Sequence, residues 1–228
     1  MPPYTHISPI SRTGFHYFPD SLHHRQADLE QWAPELPALG ARWLVLQAPA
    51  ERAIPEAFIL GLREAGVEPV LHFDLPLGSR QSQREAAALF ENYARWGVRY
   101  AVLFDRPNLR QSWPAAAWTQ ADLVEQFMDQ FLPLAEAALE HGLRPVFPAL
   151  APGGDYWDLA FLKASLLSLQ RRSKKALLEN LVLGCEAWAG NRPLDWGAGG
   201  PERWTQSRPY YTPAGSQDQR GFYIFDWY

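Results

Sequence analysis

A single cysteine, Cys185, among 228 residues excludes an internal disulfide and any metal site built on several thiolates. Basic residues are no more abundant than acidic ones: 21 Lys and Arg stand against 25 Asp and Glu, a formal net charge of −4. No basic field is available for a nucleic-acid backbone, so a nucleic-acid partner is not expected. No apolar run approaches the roughly 18–20 residues that span a bilayer, so no membrane partner is expected. Residues 1–12 are polar and proline-bearing, without the apolar stretch of a signal peptide; no compartment is specified, and the cytoplasm is the default. The glycines at 197–200 lack the Lys-Ser/Thr and the strand-to-helix setting of a phosphate loop. A His-x-x-x-His ligand pair is also missing, and no cofactor is expected.

What the chain has is aromatic residues, prolines and a repeat. Ten tryptophans and 20 prolines are unusual, and many of the tryptophans fall near strand ends or in loops, as in a cleft lined with flat apolar faces. Packing of a large core would use them equally well. A hydrophobic content of 47% with 20% charged residues suits a globular chain with a real core.

One pattern recurs four times: a helical apolar stripe, a glycine, a small or branched apolar residue, a polar residue, then strand formers. It reads Leu39-Gly40-Ala41-Arg42 before 43–46, Ala65-Gly66-Val67-Glu68 before 70–73, Trp96-Gly97-Val98-Arg99 before 100–104, and His141-Gly142-Leu143-Arg144 before Val146 and Phe147. Glycine just past a helix end accepts the left-handed backbone that closes the helix. A helix that stops there and feeds a buried strand is the second half of a β-α-β unit, and units in series predict a parallel sheet wrapped by helices. The strands expected are 15–18, 43–47, 69–73, 100–104, 145–149 and 181–188. Helices are expected from Asp28, from Pro55, around Leu89–Trp96, from a Thr119 cap, and over 158–178.

The fold class is therefore α/β, a parallel (β/α) barrel of the TIM type in a single domain over 1–228, with about six of the eight units that closure needs. Six strands leave two open edges and an open interior. The expectations are a chain truncated at its C-terminus, an open sheet, or self-association through those edges. Residues 189–217 form a long loop rich in Gly, Pro, Trp and Tyr, read as a lid or a mobile segment. Residues 219–228 read as the start of a helix. The basic run Arg171, Arg172, Lys174, Lys175 reads as a solvated face near a helix C-terminus.

In this architecture a site belongs at the carboxyl ends of the strands. There lie His16 and Tyr17, Gln47, His72 with Asp74, Asp105 with Arg106 and Asn108, and Glu186 with Trp188. His72 and Asp74 share a strand face, as do Glu186 and Trp188. A polar ring of this kind suits sugar hydroxyls, which need groups that both donate and accept. A metal held by His16, His72 and Asp74 is the sharper and less favoured alternative. Trp113, Trp188 and Trp196, followed by Trp204, Tyr210 and Tyr211, are the candidate stacking platforms. Glu186, in an otherwise apolar strand, is either a proton donor or the partner of Arg106. Cys185 reads as a buried structural thiol, and His23-His24 as a solvent-exposed pair.

The run Leu103-Phe104-Asp105-Arg106-Pro107-Asn108-Leu109, with Trp113 after it, resembles the end of strand four in retaining glycoside hydrolases of the large barrel clan. Those enzymes carry Asn-Glu-Pro there, often followed by Asn-Leu and a Trp. The Gly-Phe-His start at Gly14 and the segment Arg192-Pro193-Leu194-Asp195-Trp196 extend the resemblance over nearly the whole chain. It implies an oligosaccharide or polysaccharide ligand. The departures weigh more. Asp105 replaces the Asn, Arg106 replaces the acid/base Glu, and the strand-seven nucleophile would lie beyond Tyr228. Arginine cannot deliver a proton at useful pH, and two carboxyl groups roughly 5 Å apart are needed in the retaining class. The resemblance thus implies a carbohydrate-binding barrel with impaired catalysis. One alternative is an active O-glycosyl hydrolase using Glu186 or Asp105 with a nucleophile from beyond residue 228. The other is a non-enzymatic module that completes its barrel with another chain.

Overall fold

A computed structural model describes residues 12–228. The polar stretch read as lacking a signal peptide lies almost wholly outside the described residues. In chain order the elements are β1 (Gly14–His16), α1 (Gln26–Ala38), β2 (Trp43–Gln47), α2 (Glu56–Glu64), β3 (Glu68–Phe73), α3 (Arg80–Arg95) and β4 (Tyr100–Leu103). There follow α4 (Ala115–Trp118), α5 (Leu123–Glu140), β5 (Arg144–Phe147), α6 (Asp158–Arg171), α7 (Lys175–Asn180), β6 (Val182–Leu183) and α8 (Gly200–Arg203). The six strands pair in sequence order, β1 to β6, and every pairing is parallel. Successive β/α units of this kind form the curled, incomplete barrel expected from the repeat.

The repeat works as its chemistry requires. Gly40, Gly66, Gly97 and Gly142 have φ of 74°, 77°, 83° and 87°, a region costly for residues with a Cβ. The next residue in each copy donates its N–H back into the helix: Ala41 to Leu36, Val67 to Leu62, Val98 to Tyr93 and Leu143 to Ala138, each at 2.9 Å. These same four side chains are buried, so the ends of α1, α2, α3 and α5 are each pinned to the core by one apolar side chain. The residue after it starts the strand ladder, with Glu68 N–H donating to the Arg42 carbonyl and Arg144 N–H to that of Arg99.

The two faces of the sheet differ. Leu44, Leu46, Leu71, Phe73, Ala101, Leu103 and Phe147 point outward and are almost fully buried beneath the helices. There they meet Phe58, Leu62, Phe90, Tyr93, Phe127 and Phe131 in one core. Residues of the opposite parity, including Val45, His72 and Val102, remain half-buried on the concave side. Trp43 and Tyr100, with ring centroids 5.5 Å apart, and the Glu68–Arg99 pair lie at the amino ends of the strands.

Several expectations are corrected. The helix expected over 158–178 breaks at Ser173, whose φ is 55°, into α6 and α7. Its basic run is not merely solvated: Arg172 contacts Glu125 and Asp129 at 2.5 and 2.6 Å, and Lys174 contacts Glu136 at 2.5 Å, tying the break to α5. Thr119 does not cap the long helix. It closes the short α4, and α5 begins after Asp122. The sixth strand is only Val182–Leu183, because beyond Gly184 the backbone leaves the ladder. Residues 219–228 form no helix beyond a single 3-10 turn, Ile224–Asp226.

Candidate active site

The curl of the sheet encloses one cavity of about 540 Å³ at the carboxyl ends of the strands. His16, Val45, His72, Val102 and Val146 supply its wall from β1 to β5, and Asp105, Arg106, Cys185 and Glu186 stand at its mouth. The volume is that of an ordinary small-molecule pocket. Valines form the floor because the inward parity of the strands is apolar near mid-strand. Polar groups gather where each strand gives way to its loop.

The turn after β4 carries the clearest local distortion. Phe104 and Arg106 have φ of 69° and 35°, left-handed conformations that cost a residue bearing a side chain about 1–3 kcal/mol each and cluster at functional sites. The surroundings hold the turn. The Phe104 ring is fully buried against Phe127, at 5.7 Å between centroids. The Phe104 carbonyl accepts from His72 Nε2 at 3.1 Å. Ser112 Oγ donates to the Arg106 carbonyl at 2.9 Å and Trp113 Nε1 to that of Pro107 at 2.7 Å. Asn108, fully buried, donates to the Ala151 and Tyr156 carbonyls and accepts from Ala151 N–H, at 2.8, 3.0 and 2.9 Å. Asn108 and Trp113 were expected on the ligand. Their polar atoms instead bind backbone and brace this turn.

On that brace sit Asp105 and Arg106, whose carboxylate and guanidinium meet through Nε at 2.9 Å and Nη2 at 2.8 Å. The bond to Asp105 raises the Arg106 pKa against the opposing effect of burial, and Glu186 and Asp74 add to it. Glu186 responds to the same charges in reverse. Burial raises its pKa, Arg106 lowers it and Asp105 raises it again. No hydrogen bond or close ion pair among the described residues reaches the Glu186 carboxylate, so the direct ion pair considered for it with Arg106 is not formed. Cys185 is exposed rather than buried, although partial enclosure raises its thiol pKa.

The other expected residues divide. His16 and His72 line the cavity. Asp74 is exposed at the end of β3 and acts on Arg106 only through its charge. Gln47, half-buried, pairs in register with His72 but is not part of the cavity wall. Tyr17 turns to the helix side, where it meets Phe58 and His24; burial and the charges of Asp28 and Asp20 push its hydroxyl up to about 12. Trp188 is 64% exposed and outside the cavity, because the chain has left the strand that would have aimed it inward. Trp196 donates Nε1–H to Asp218 at 3.0 Å and stacks under Arg192, which fixes the 189–228 segment instead of a ligand. His16, His72 and Asp74 do not converge: among the described residues no group of three His, Cys, Asp or Glu side chains is placed to hold a metal ion. His24 is buried and His23 contacts Asp20 at 2.8 Å, so that pair is not free in solvent.

Sequence reasoning missed a second polar centre. Asp218, fully buried, accepts from Trp196 Nε1, Thr212 Oγ1, and the Arg220 N–H and guanidinium. Asp158, also fully buried, accepts from Gly153 N–H at 3.0 Å, from Gln219 Nε2 at 2.7 Å and from the Tyr228 hydroxyl at 3.4 Å. Together they anchor the long aromatic segment, whose Trp227 also donates to the Gly197 carbonyl. No short motif announces this centre, because its members come from residues 153–158 and 196–228.

No protein-family model matches the chain, and no curated protein matches it. Among solved structures, dihydropteroate synthase from Thermus thermophilus in complex with 6HMPPP aligns at 20% identity, over 75% of this chain and 68% of its own, with a TM-score of 0.32. A second crystal structure of that synthase aligns at 20% identity, over 70% and 66%, with a TM-score of 0.34. D-psicose 3-epimerase in the presence of D-fructose aligns at 14% identity, over 81% and 77%, with a TM-score of 0.44. Likenesses this distant carry no argument about chemistry, and the fold assignment stands on strand order and pairing. None of these comparisons supports membership of a retaining glycoside hydrolase family.

Proposed function

We propose that the chain is a carbohydrate-binding barrel of glycoside-hydrolase-like design whose cavity takes one end of an oligosaccharide. One observation carries this reading. A single concave cavity of small-molecule size brings together His16, His72, Asp105, Arg106 and Glu186, each from the carboxyl end of a strand or the loop that follows it. Imidazole, carboxylate and guanidinium groups around an apolar valine floor match the mixed character of a sugar, with C–H faces against the floor and hydroxyls against the rim. Arg106 stands in the position of the acid/base residue, and it orients a ligand without donating a proton. Calorimetric titration against a panel of oligosaccharides tests the reading. Heat from at least one of them, lost on Arg106→Ala, is the expected result. No heat from any, with the protein folded, overturns it.

The second reading is an active O-glycosyl hydrolase with Glu186 as general acid. It is favoured by the place of Glu186 in the cavity lining, where no hydrogen bond from the described residues ties it down, and by burial, which shifts its pKa upward, the direction a proton donor needs. Hydrolysis of aryl glycosides that Glu186→Gln abolishes is its signature. An unchanged rate in that variant removes Glu186 from the mechanism.

A further inference from the structure

The cavity mouth has a surplus of acceptors. Among the described residues Arg106 is its one fixed cation, and its guanidinium is already engaged by Asp105 at two points. Glu186 faces the same space with no hydrogen bond from any described residue, and Asp74 adds a third negative charge within electrostatic reach of Arg106. His72 adds a further polar group to the wall: its Nε2 donates to the Phe104 carbonyl at 3.1 Å, and its Nδ1 makes no hydrogen bond among the described residues. A ligand completing this arrangement must bring donors and positive charge. A neutral sugar brings hydroxyls that both donate and accept, and an acidic sugar adds repulsion.

From this donor and acceptor balance we infer that the preferred ligand is an amino sugar with a free, protonated amine, held by Glu186 and Asp105. The inference rests on the carbohydrate reading above and narrows it. An ammonium supplies three donors and a compact charge. Placed in the cavity, it answers the carboxylate that burial leaves uncompensated.

The test is calorimetry on the whole chain with three ligands of equal length: a β-1,4-linked glucosamine tetramer, its fully N-acetylated counterpart and the matching glucose tetramer. Titration at about pH 6 keeps most of the amines protonated, since an amine flanked by electron-withdrawing oxygens titrates nearer the α-amino range of about 7–8 than the lysine value. The glucosamine tetramer is expected to bind at least roughly tenfold more tightly than either neutral ligand. Glu186→Gln and Asp105→Asn are each expected to erode that preference, and Glu140→Gln, on the exposed end of α5, to keep it. Equal or tighter binding of a neutral tetramer overturns the inference and leaves the carbohydrate reading standing. Binding of none removes both. A preference that survives the Glu186→Gln, Asp105→Asn double substitution places the amine elsewhere and also overturns it. The three-ligand comparison on the unmodified chain is decisive even if a variant fails to fold.

Discussion

Two Asp–Arg contacts in this molecule look alike and do different things. At the cavity mouth Asp105 meets Arg106 at 2.8 Å, and in the C-terminal centre Asp218 meets Arg220 at 2.5 Å. The Asp105 side chain is 29% exposed and that of Asp218 is fully buried. Asp218 has every oxygen engaged by Arg220, Thr212 and Trp196, so that hydrogen bonding outweighs burial and holds its carboxyl down to about 2. Asp105 has its arginine and open space beyond. Saturation by protein donors marks a structural charge, and a charge left half-served at a cavity mouth is available to a ligand. The residue types are the same at both places, with the arginine one position on in the first and two in the second; enclosure separates the roles.

The strongest way to break this comparison is to remove both aspartates in turn. Asp218→Ala strands Arg220 and the Trp196 and Thr212 donors, and breaking a buried pair in this way costs about 3–5 kcal/mol. Asp105→Asn, at a partly solvated pair, is expected to cost less than about 1 kcal/mol. Urea denaturation of the two variants reads the difference directly, and equal losses would erase the distinction.

Acid unfolding sharpens it next. A carboxyl depressed in the folded state contributes stability that is present above its unfolded pKa and disappears as pH falls through the folded value. For Asp218 the loss therefore falls between about pH 4 and about pH 2, and it amounts to about 2 kcal/mol. Asp218→Asn should flatten the wild-type stability profile in that window. Asp158 has the opposite sign, since burial raises its pKa above the unfolded value. Its ionised form is a burden in the folded state, and the burden lightens as pH falls through the raised value. Asp158→Asn keeps an oxygen for Gly153 and Gln219 and is expected to stay within about 1 kcal/mol of wild type near neutrality. A large loss there would show that the negative charge itself is needed.

The smallest effect on stability is expected at Arg106. Arg106→Gly relieves the backbone at φ 35° and removes a contact worth less than about 1 kcal/mol. The midpoint of unfolding should hardly move while the proposed oligosaccharide binding is lost. A midpoint that falls steeply would make Arg106 a structural residue like Arg220.

The β/α units could be read from the chain because each rests on local chemistry. A glycine at φ near 80°, a pinned hydrophobe and an alternating strand recur within about a dozen residues, and the strand order follows from putting such units in series. The cavity was legible in part. His16, His72, Asp105, Arg106 and Glu186 lie at strand ends, where such folds gather their polar groups. Asn108 and Trp113 were misread because a polar amide or an indole N–H looks the same whether it faces a ligand or a backbone carbonyl. Trp188 falls outside the cavity because the period-two rule does not carry past Leu183, where the strand ends.

The sequence alone determined the parallel β/α architecture and the rim on which charged residues would gather, since helix closure and strand parity are set by neighbours a few residues apart. Only the tertiary structure decided which of those charges face open space and which are consumed. Asp218 is satisfied by Trp196, 22 residues away, and Asp158 by Tyr228, 70 residues away. Burial and hydrogen-bond saturation are sums over such distant partners, and no local pattern contains them.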